Sequence, residues 1–289
     1  MGLGEATSSV VIDAGELHHE LERSQPPTLL DVRWALGSDP DTCHTSYLGG
    51  HIPGAVFVDL ENQLSNADAG DGRHPLPCPD DFERTAKSLG INNDCPVVVY
   101  DSGTGQAAAR LWWLLTDAGH CDVRVLDGGM AAWRRAGYEI ETGEVVPREG
   151  RFMADTGNLD VVEADDVDGA DVTVWDVRAP ERFRGEHEPV DAVAGHIPGS
   201  RNLPAANLFR EGRLLPTEEL DSVCAEVQPG DIISCGSGIT ASQVIWVLHS
   251  IGKTDVALYA GSWSDWISDS DRPIVSDAPD EPIHEPARA

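Results

Sequence analysis

The sequence predicts two copies of one α/β domain in tandem, each a parallel sheet flanked by helices. Three observations carry this expectation. Motifs of the first half return in the second in the same order: "LLDVRW" (29–34) as "VWDVRA" (174–179), "GHIPGAVFVDL" (50–60) as "GHIPGSRNLP" (195–204), "PVVVYDSGTGQAAARLWWLL" (96–115) as "DIISCGSGITASQVIWVL" (231–248), and "VRVLDGGMAAW" (123–133) as "VALYAGSWSDW" (256–266). Short β-branched runs alternate with helical patterns, as they do when strands join through helical crossovers into a sheet covered on both faces. A chain of 289 residues also suits about two domains.

The elements follow along the chain. The repeat divides it into an N-terminal domain over 1–142 and a C-terminal domain over 156–276. The runs Val97 to Tyr100, Val123 to Leu126 and Val172 to Val177 read as strands. "PDDFERTAKSLG" opens on proline and acids and stops at Gly90, which marks a helix, and "TEELDSVCAEVQPG" does the same in the second copy. The stretch from about 140 to 158 has no period and carries Gly143, Pro147 and Gly150, so it reads as the linker. The tail after Ile274, rich in Pro, Asp and Glu, is expected at the surface. Trp112, Trp113, Trp133, Trp246 and Trp266 fall in helical patterns and are expected in the core, whereas Trp263 could line a pocket mouth.

Composition narrows the function. There are 20 basic and 50 acidic residues, a formal charge of −30, and Lys87 and Lys253 are the only lysines. Such a surface repels nucleic acid and anionic membranes. The acids are scattered among apolar runs, which favours adaptation to high salt over disorder. No apolar run reaches the roughly 18 residues that span a membrane, and the N-terminus lacks the pattern of a secretory signal. The expectation is a soluble cytoplasmic protein. Its six cysteines form no CxxC pair and no metal-ligand cluster, so disulfides and a metal site are not expected.

One of those cysteines is placed for chemistry. Cys235 ends a strand and precedes Gly236, Ser237 and Gly238, after which a helix starts near Ile239. Ligands of open parallel sheets bind beyond the carboxyl ends of the strands. A glycine-rich turn lets consecutive N–H groups cradle an anion, and the helix adds the positive end of its dipole. Both effects favour a thiolate, the nucleophilic form. The first copy carries Asp101 where Cys235 stands, so one copy is expected to be active and the other structural, with Asp101 capping a helix or lying at the surface.

With "DVR" after a strand, "GHIPG" in both halves, "CGSGIT" and "GSWSDW", the chain resembles the two-domain rhodanese family of sulfurtransferases over nearly its whole length. The resemblance implies tandem rhodanese-like domains, the N-terminal one inactive. It also implies a cysteine that takes a sulfur atom as a persulfide and passes it to a thiophilic acceptor, such as a cellular thiol or a thioredoxin-like protein. Thiosulfate-preferring members have basic residues directly after the cysteine. Gly236 and Ser237 stand there instead, which resembles the 3-mercaptopyruvate sulfurtransferases and leaves thiosulfate as the alternative donor.

In that subfamily the loop serine, here Ser237, belongs to a proton relay, and arginines hold the substrate carboxylate. Arg182 in "ERFRGE" matches one of them, with Arg184 the alternative. The position of a second is Val190. Gly236, Gly238, Ile239 and Thr240 complete the substrate-binding loop. His51 and His196 lie in "GHIPG"; their presence in both copies favours a structural role. The subfamily nevertheless links a histidine of the N-terminal domain to the relay, which makes His51 the candidate, with an acid such as Asp39 or Asp41 beside it. No metal or organic cofactor is implied. Two rival readings stand: a cysteine phosphatase, disfavoured by alanine at 241 where an arginine is required, and a non-enzymatic sulfur-carrier module, disfavoured by the intact Cys235 loop.

Overall fold

The computed structural model describes residues 9–66, 70 and 72–277. The N-terminal sheet contains β1 (Val11–Ile12), β2 (Thr28–Asp31), β3 (Val56–Phe57), β4 (Val97–Tyr100) and β5 (Val123–Leu126), in spatial order β1-β5-β4-β2-β3 with every pairing parallel. Its helices are α1 (Ala14–Leu21), α2 (Pro40–Leu48), α3 (Leu60–Gln63), α4 (Pro79–Ser88), α5 (Gln106–Asp117) and α6 (Gly129–Arg135). The C-terminal sheet repeats the plan with β6 (Val161–Val162), β7 (Val174–Asp176), β8 (Arg201–Asn202), β11 (Asp231–Ser234) and β12 (Val256–Tyr259), in order β6-β12-β11-β7-β8, again all parallel. The antiparallel hairpin β9 (Phe209–Arg210) and β10 (Arg213–Leu214) stands apart from it. Helices α7 (Ala164–Val167), α8 (Pro180–Phe183), α9 (Thr217–Val223), α10 (Ile239–Ser250) and α11 (Ser262–Trp266) complete the second copy.

Local chemistry explains the element ends. The Asp13 side chain takes the amides of Gly15 and Glu16, and Glu16 reaches back to the Asp13 amide, a capping box that starts α1. Pro79 opens α4, Asp80 and Asp81 occupy its first turn and Lys87 its last, each sign suiting the helix dipole. The second helix expected by analogy is shorter: α9 stops at Val223, and Cys224 to Pro229 turns back toward the sheet.

The repeated motifs have structural work. Arg33 bonds Asp31 at 2.6 Å and the Gly50 carbonyl at 3.2 Å; Arg178 bonds Asp176 at 2.6 Å and the Gly195 carbonyl at 2.7 Å. Each buried pair ties a strand end to the adjacent "GHIPG" turn.

The two copies share one core. Helices α5 and α10 are buried nearly all round, as expected of helices apolar on every face, and pack against each other at the domain interface. One apolar cluster runs from Leu30 and Val99 through Trp112 and Trp246 to Ile233 and Leu258. Trp246 donates to the Val10 carbonyl at 2.9 Å, and Gln243 to that of Thr104 at 2.9 Å. The stretch 140–158 forms no long element, yet it is not loose: Phe152 is fully buried, and the amides of Gly150 and Phe152 bond the carbonyls of Lys87 and Ile91. Val275 pairs with His196 at the surface, and the tail beyond Asp277 lies outside the described residues.

Candidate active site

The carboxyl end of β11 carries Cys235 into a cleft of about 640 Å³ between the two domains. Trp34, Arg73 and Gln106 line it from the first domain; Arg182, Cys235, Ser237, Ile239 and Thr240 line it from the second. The loop from Cys235 to Gly238 is held by Ser262, whose Oγ accepts the amides of Cys235 at 3.0 Å and Gly238 at 3.1 Å. That oxygen also lies 3.9 Å from Cys235 Sγ. Ser262 has φ 54°, a left-handed conformation that is rare for a residue with a side chain, and it is fully buried. Gly238 has φ 81°, and a Cβ there would meet the Ala260 carbonyl oxygen at 2.5 Å, so this position admits only glycine.

Among the described residues, the amides of Gly236, Ser237, Ile239 and Thr240 donate to no protein group. They lie at the start of α10, where backbone N–H groups and the helix dipole favour an anion. The matching loop of the first copy is filled by its own side chain. Asp101 Oδ1 accepts the amides of Gly103 at 2.8 Å and Gly105 at 3.0 Å, and Oδ2 accepts that of Ala107 at 3.0 Å. Asp101 thus caps α5 as expected, but it is buried, at 5% exposure, rather than at the surface.

Ser237 meets a histidine of the other domain. His74 Nδ1 lies 2.7 Å from Ser237 Oγ, and His74 Nε2 lies 3.3 Å from Glu61 Oε1. Trp34 donates to the same Glu61 oxygen at 2.6 Å and sets its ring edge-on to His74. Burial pushes His74 below its ordinary value of 6.5, with Glu61 pulling the other way, so the ring is neutral at pH 7. Arg110, fully buried on α5, donates to the carbonyls of Leu64 (3.3 Å), His74 (2.8 Å) and Pro75 (3.3 Å) and fixes the segment that carries His74. Burial lowers its guanidinium to about 10, which still leaves it charged.

Two arginines stand beside the Cys235 loop. Arg182 binds Glu188 and Asp191. Arg73, from the first domain, pairs with Asp191 from the other side. A Cβ built on Gly236 would meet Arg73 Nη2 at 2.9 Å and the two Arg182 terminal nitrogens at 3.6 and 3.7 Å.

A family model described as the rhodanese-like domain matches residues 13–136 and again residues 162–269. The chain belongs to the rhodanese-like domain family. A protein of Mycobacterium tuberculosis named as a thiosulfate sulfurtransferase, SseB, is 44% identical over 281 residues, covering 93% of this chain and 98% of that one. The 3-mercaptopyruvate sulfurtransferase of Escherichia coli K12 is 37% identical over 257 residues, covering 85% and 91%. The crystal structure of SseA from Escherichia coli, described as a 3-mercaptopyruvate sulfotransferase with the rhodanese fold, superposes with a TM-score of 0.78 at 36% identity. It spans 89% of this chain and 99% of that one.

Within the rhodanese-like frame, several expected residues fall together. Cys235, Gly236, Ser237, Ile239, Thr240 and Arg182 line the cleft, with Gly238 shaping the loop behind them. Thr240 Oγ1 is held by Gln106 at 2.7 Å. Arg184 is an exposed partner of Glu186 and does not line the cleft.

Other expectations are corrected. His51 does not reach Ser237: its Nδ1 faces the Tyr47 carbonyl at 3.0 Å and its ring stacks on Tyr47. His196 repeats that arrangement, with Nδ1 2.7 Å from the Phe183 carbonyl and its ring on Phe183. A motif that does the same packing in both copies serves the fold. Asp39 caps α2 through the Asp41 amide, and the carboxylate beside His74 is Glu61. Trp263 is core, 1% exposed, with its indole N–H on the Val193 carbonyl.

His74, Glu61, Arg73, Trp34, Ser262 and Arg110 were not singled out from the sequence. One signal was available. "DGRHPLP" in the first half matches "EGRLLP" in the second, so His74 stands where the repeat has Leu214. A polar residue at a position apolar in the twin marks a departure from the shared fold.

Proposed function

We propose that the protein is a double-displacement sulfurtransferase that takes sulfur from 3-mercaptopyruvate. The single observation that carries the donor is Ser237 Oγ at 2.7 Å from His74 Nδ1, two residues from the nucleophile. The Cys235 thiolate attacks the donor sulfur, the carbon–sulfur bond breaks, and its electron pair passes to the departing pyruvate enolate. The donor's thiol proton must leave sulfur and arrive at that carbon. Neutral His74 can accept the Ser237 proton, Ser237 can relay the proton from sulfur to carbon, and Glu61 steadies the imidazolium that forms transiently. The free amides around Gly236 and Ser237 suit the persulfide anion left on Cys235. An acceptor nucleophile, such as cyanide in an assay or a cellular thiol or thioredoxin-like protein, then removes the outer sulfur and restores the thiolate.

A second reading has its own observation. Arg73 and Arg182 together place two cations beside Gly236, which suits the thiosulfate dianion. There Cys235 takes the outer sulfur and sulfite leaves with the electron pair; no proton moves. All six cysteines are free thiols, which supports a reducing compartment such as the cytoplasm.

Incubation with each donor, followed by peptide mass spectrometry, should add one sulfur atom on the Cys235 peptide, and Cys235→Ser should abolish both the adduct and transfer to cyanide. Sulfur located on Cys43 or Cys224 instead would overturn the assignment. Steady-state kinetics on one sample decide the donor: higher kcat/KM on thiosulfate than on 3-mercaptopyruvate would favour the second reading.

A further inference from the structure

We propose that Gln106 of the first domain is a positioning residue for sulfur transfer: its amide holds Thr240 so that the Thr240 hydroxyl is left to donate to the sulfur anion at Cys235. The proposal deepens the sulfurtransferase reading and rests on it.

The starts of α5 and α10 meet across the cleft. Gln106 is the first residue of α5, and Thr240 is the second of α10. Gln106 Nε2 donates to Thr240 Oγ1 at 2.7 Å, and Gln243 of α10 donates back to the Thr104 carbonyl at 2.9 Å. Gly105 lets the helices come this close. Its φ is 78°, and a Cβ there would meet the Trp246 ring at 3.3 Å. Gln106, Thr240 and Cys235 all line the cleft. Counted from the capping glycines Gly105 and Gly238, Gln106 stands where α10 has Ile239, and Thr240 where α5 has Ala107. The shared fold therefore demands neither polar group.

A hydroxyl carries one hydrogen and accepts through its oxygen. Gln106 supplies the hydrogen of their bond, so the Thr240 hydrogen remains to be placed. A helical threonine can give it to the carbonyl four residues back. Here that carbonyl belongs to Gly236, and it accepts the Ser264 amide at 3.0 Å. Among the described residues, the Thr240 hydroxyl donates to no protein group. It lies in the first turn of α10, where the helix dipole favours an anion. The Cys235 thiolate and the persulfide anion it becomes are such acceptors, and a hydrogen bond to a charged acceptor is stronger than one to a neutral group. Gln106 itself takes no proton and touches no reacting atom. It fixes the direction of one hydrogen bond, and the reversed bond would withdraw the Thr240 donor from the sulfur.

Three variants separate this role from a bond that only joins the domains. Gln106→Leu removes the amide. Gln106→Glu keeps a bond to Thr240 but reverses it, because a carboxylate only accepts. Thr240→Val removes the hydroxyl. Steady-state kinetics use 3-mercaptopyruvate and thiosulfate in turn, with cyanide as acceptor. Thr240→Val should lower kcat roughly tenfold on both donors, with KM changed less. Gln106→Leu should lower it by about three- to fivefold, and Gln106→Glu by at least as much as Thr240→Val. A joining bond predicts the opposite order, with Gln106→Glu milder than Gln106→Leu and the loss read in the melting temperature. In the Thr240→Val background, Gln106→Leu should lower kcat no further, and Gln106→Glu there reads the effect of its charge alone. Losses that multiply in the double variant, or an unchanged kcat in folded Gln106→Leu, would overturn the proposal while sulfur transfer stands. A wild type that forms no persulfide from either donor would overturn the sulfurtransferase reading instead. The same cycle is then read on Cys235 alkylation by neutral iodoacetamide, which forms a thioether at Sγ and releases iodide. Coupled losses of rate would keep the role of Gln106, and independent or absent losses would end it.

Discussion

At the scale of the residue, His74 is where the two proposed donors should part. It is buried, neutral at pH 7, and bridges Ser237 and Glu61. A proton must move during attack on 3-mercaptopyruvate and need not during attack on thiosulfate. His74→Asn should therefore lower kcat/KM for 3-mercaptopyruvate by roughly 100-fold or more, a usual contribution of general acid–base chemistry. Thiosulfate turnover should stay within a few-fold. The pH profile should agree in sign. The pKa of His74 is depressed from 6.5, so turnover of 3-mercaptopyruvate should hold as pH falls to 6.5 and drop only below it, as the ring protonates. Equal losses on both donors would show that His74 positions the loop rather than relays a proton.

At the scale of the element, the two strand-to-helix loops are one device in two states. After β4, five residues lead into α5; after β11, four lead into α10. In the first, a carboxylate satisfies three amides; in the second, Ser262 takes the amides of Cys235 and Gly238, and those of Gly236, Ser237, Ile239 and Thr240 are left for an anion. Asp101→Ala should strip the first loop of all three bonds at a buried site. The cost should be about 2–4 kcal/mol, read as a lower denaturation midpoint. Turnover of the folded enzyme should remain within a few-fold, because Asp101 does not line the cleft. A loss of several hundredfold without unfolding would give the first copy a share in the chemistry.

At the scale of the whole molecule, charge dominates. With a formal charge of −30, the folded chain repels itself. The Debye length shrinks from about 10 Å at 0.1 M salt to about 3 Å at 1 M, which relieves that repulsion. The melting temperature should rise between low salt and molar KCl. A flat or falling curve would show that the acids are offset locally, as the many Arg–carboxylate pairs at the surface already do in part.

The sequence by itself determined the repeat, the α/β class and the loop that sets Cys235 between a strand and a helix. These are properties of contiguous residues: period, turn glycines, and a cysteine set between a strand and a helix. The doubling of "GHIPG" pointed to a structural role for His51, which packs on Tyr47; it was the family resemblance that offered this histidine to the relay. Only the tertiary structure decided which groups face Cys235. Arg73 and Trp34 of the other domain line the cleft, and His74, with Glu61 behind it, reaches Ser237, because α5 and α10 pack into one core and bring the first copy's loops over the Cys235 loop. Spacing along the chain carries no record of that docking. A side chain more than 160 residues from Ser237 becomes its hydrogen-bond partner only once two apolar faces have been buried against each other.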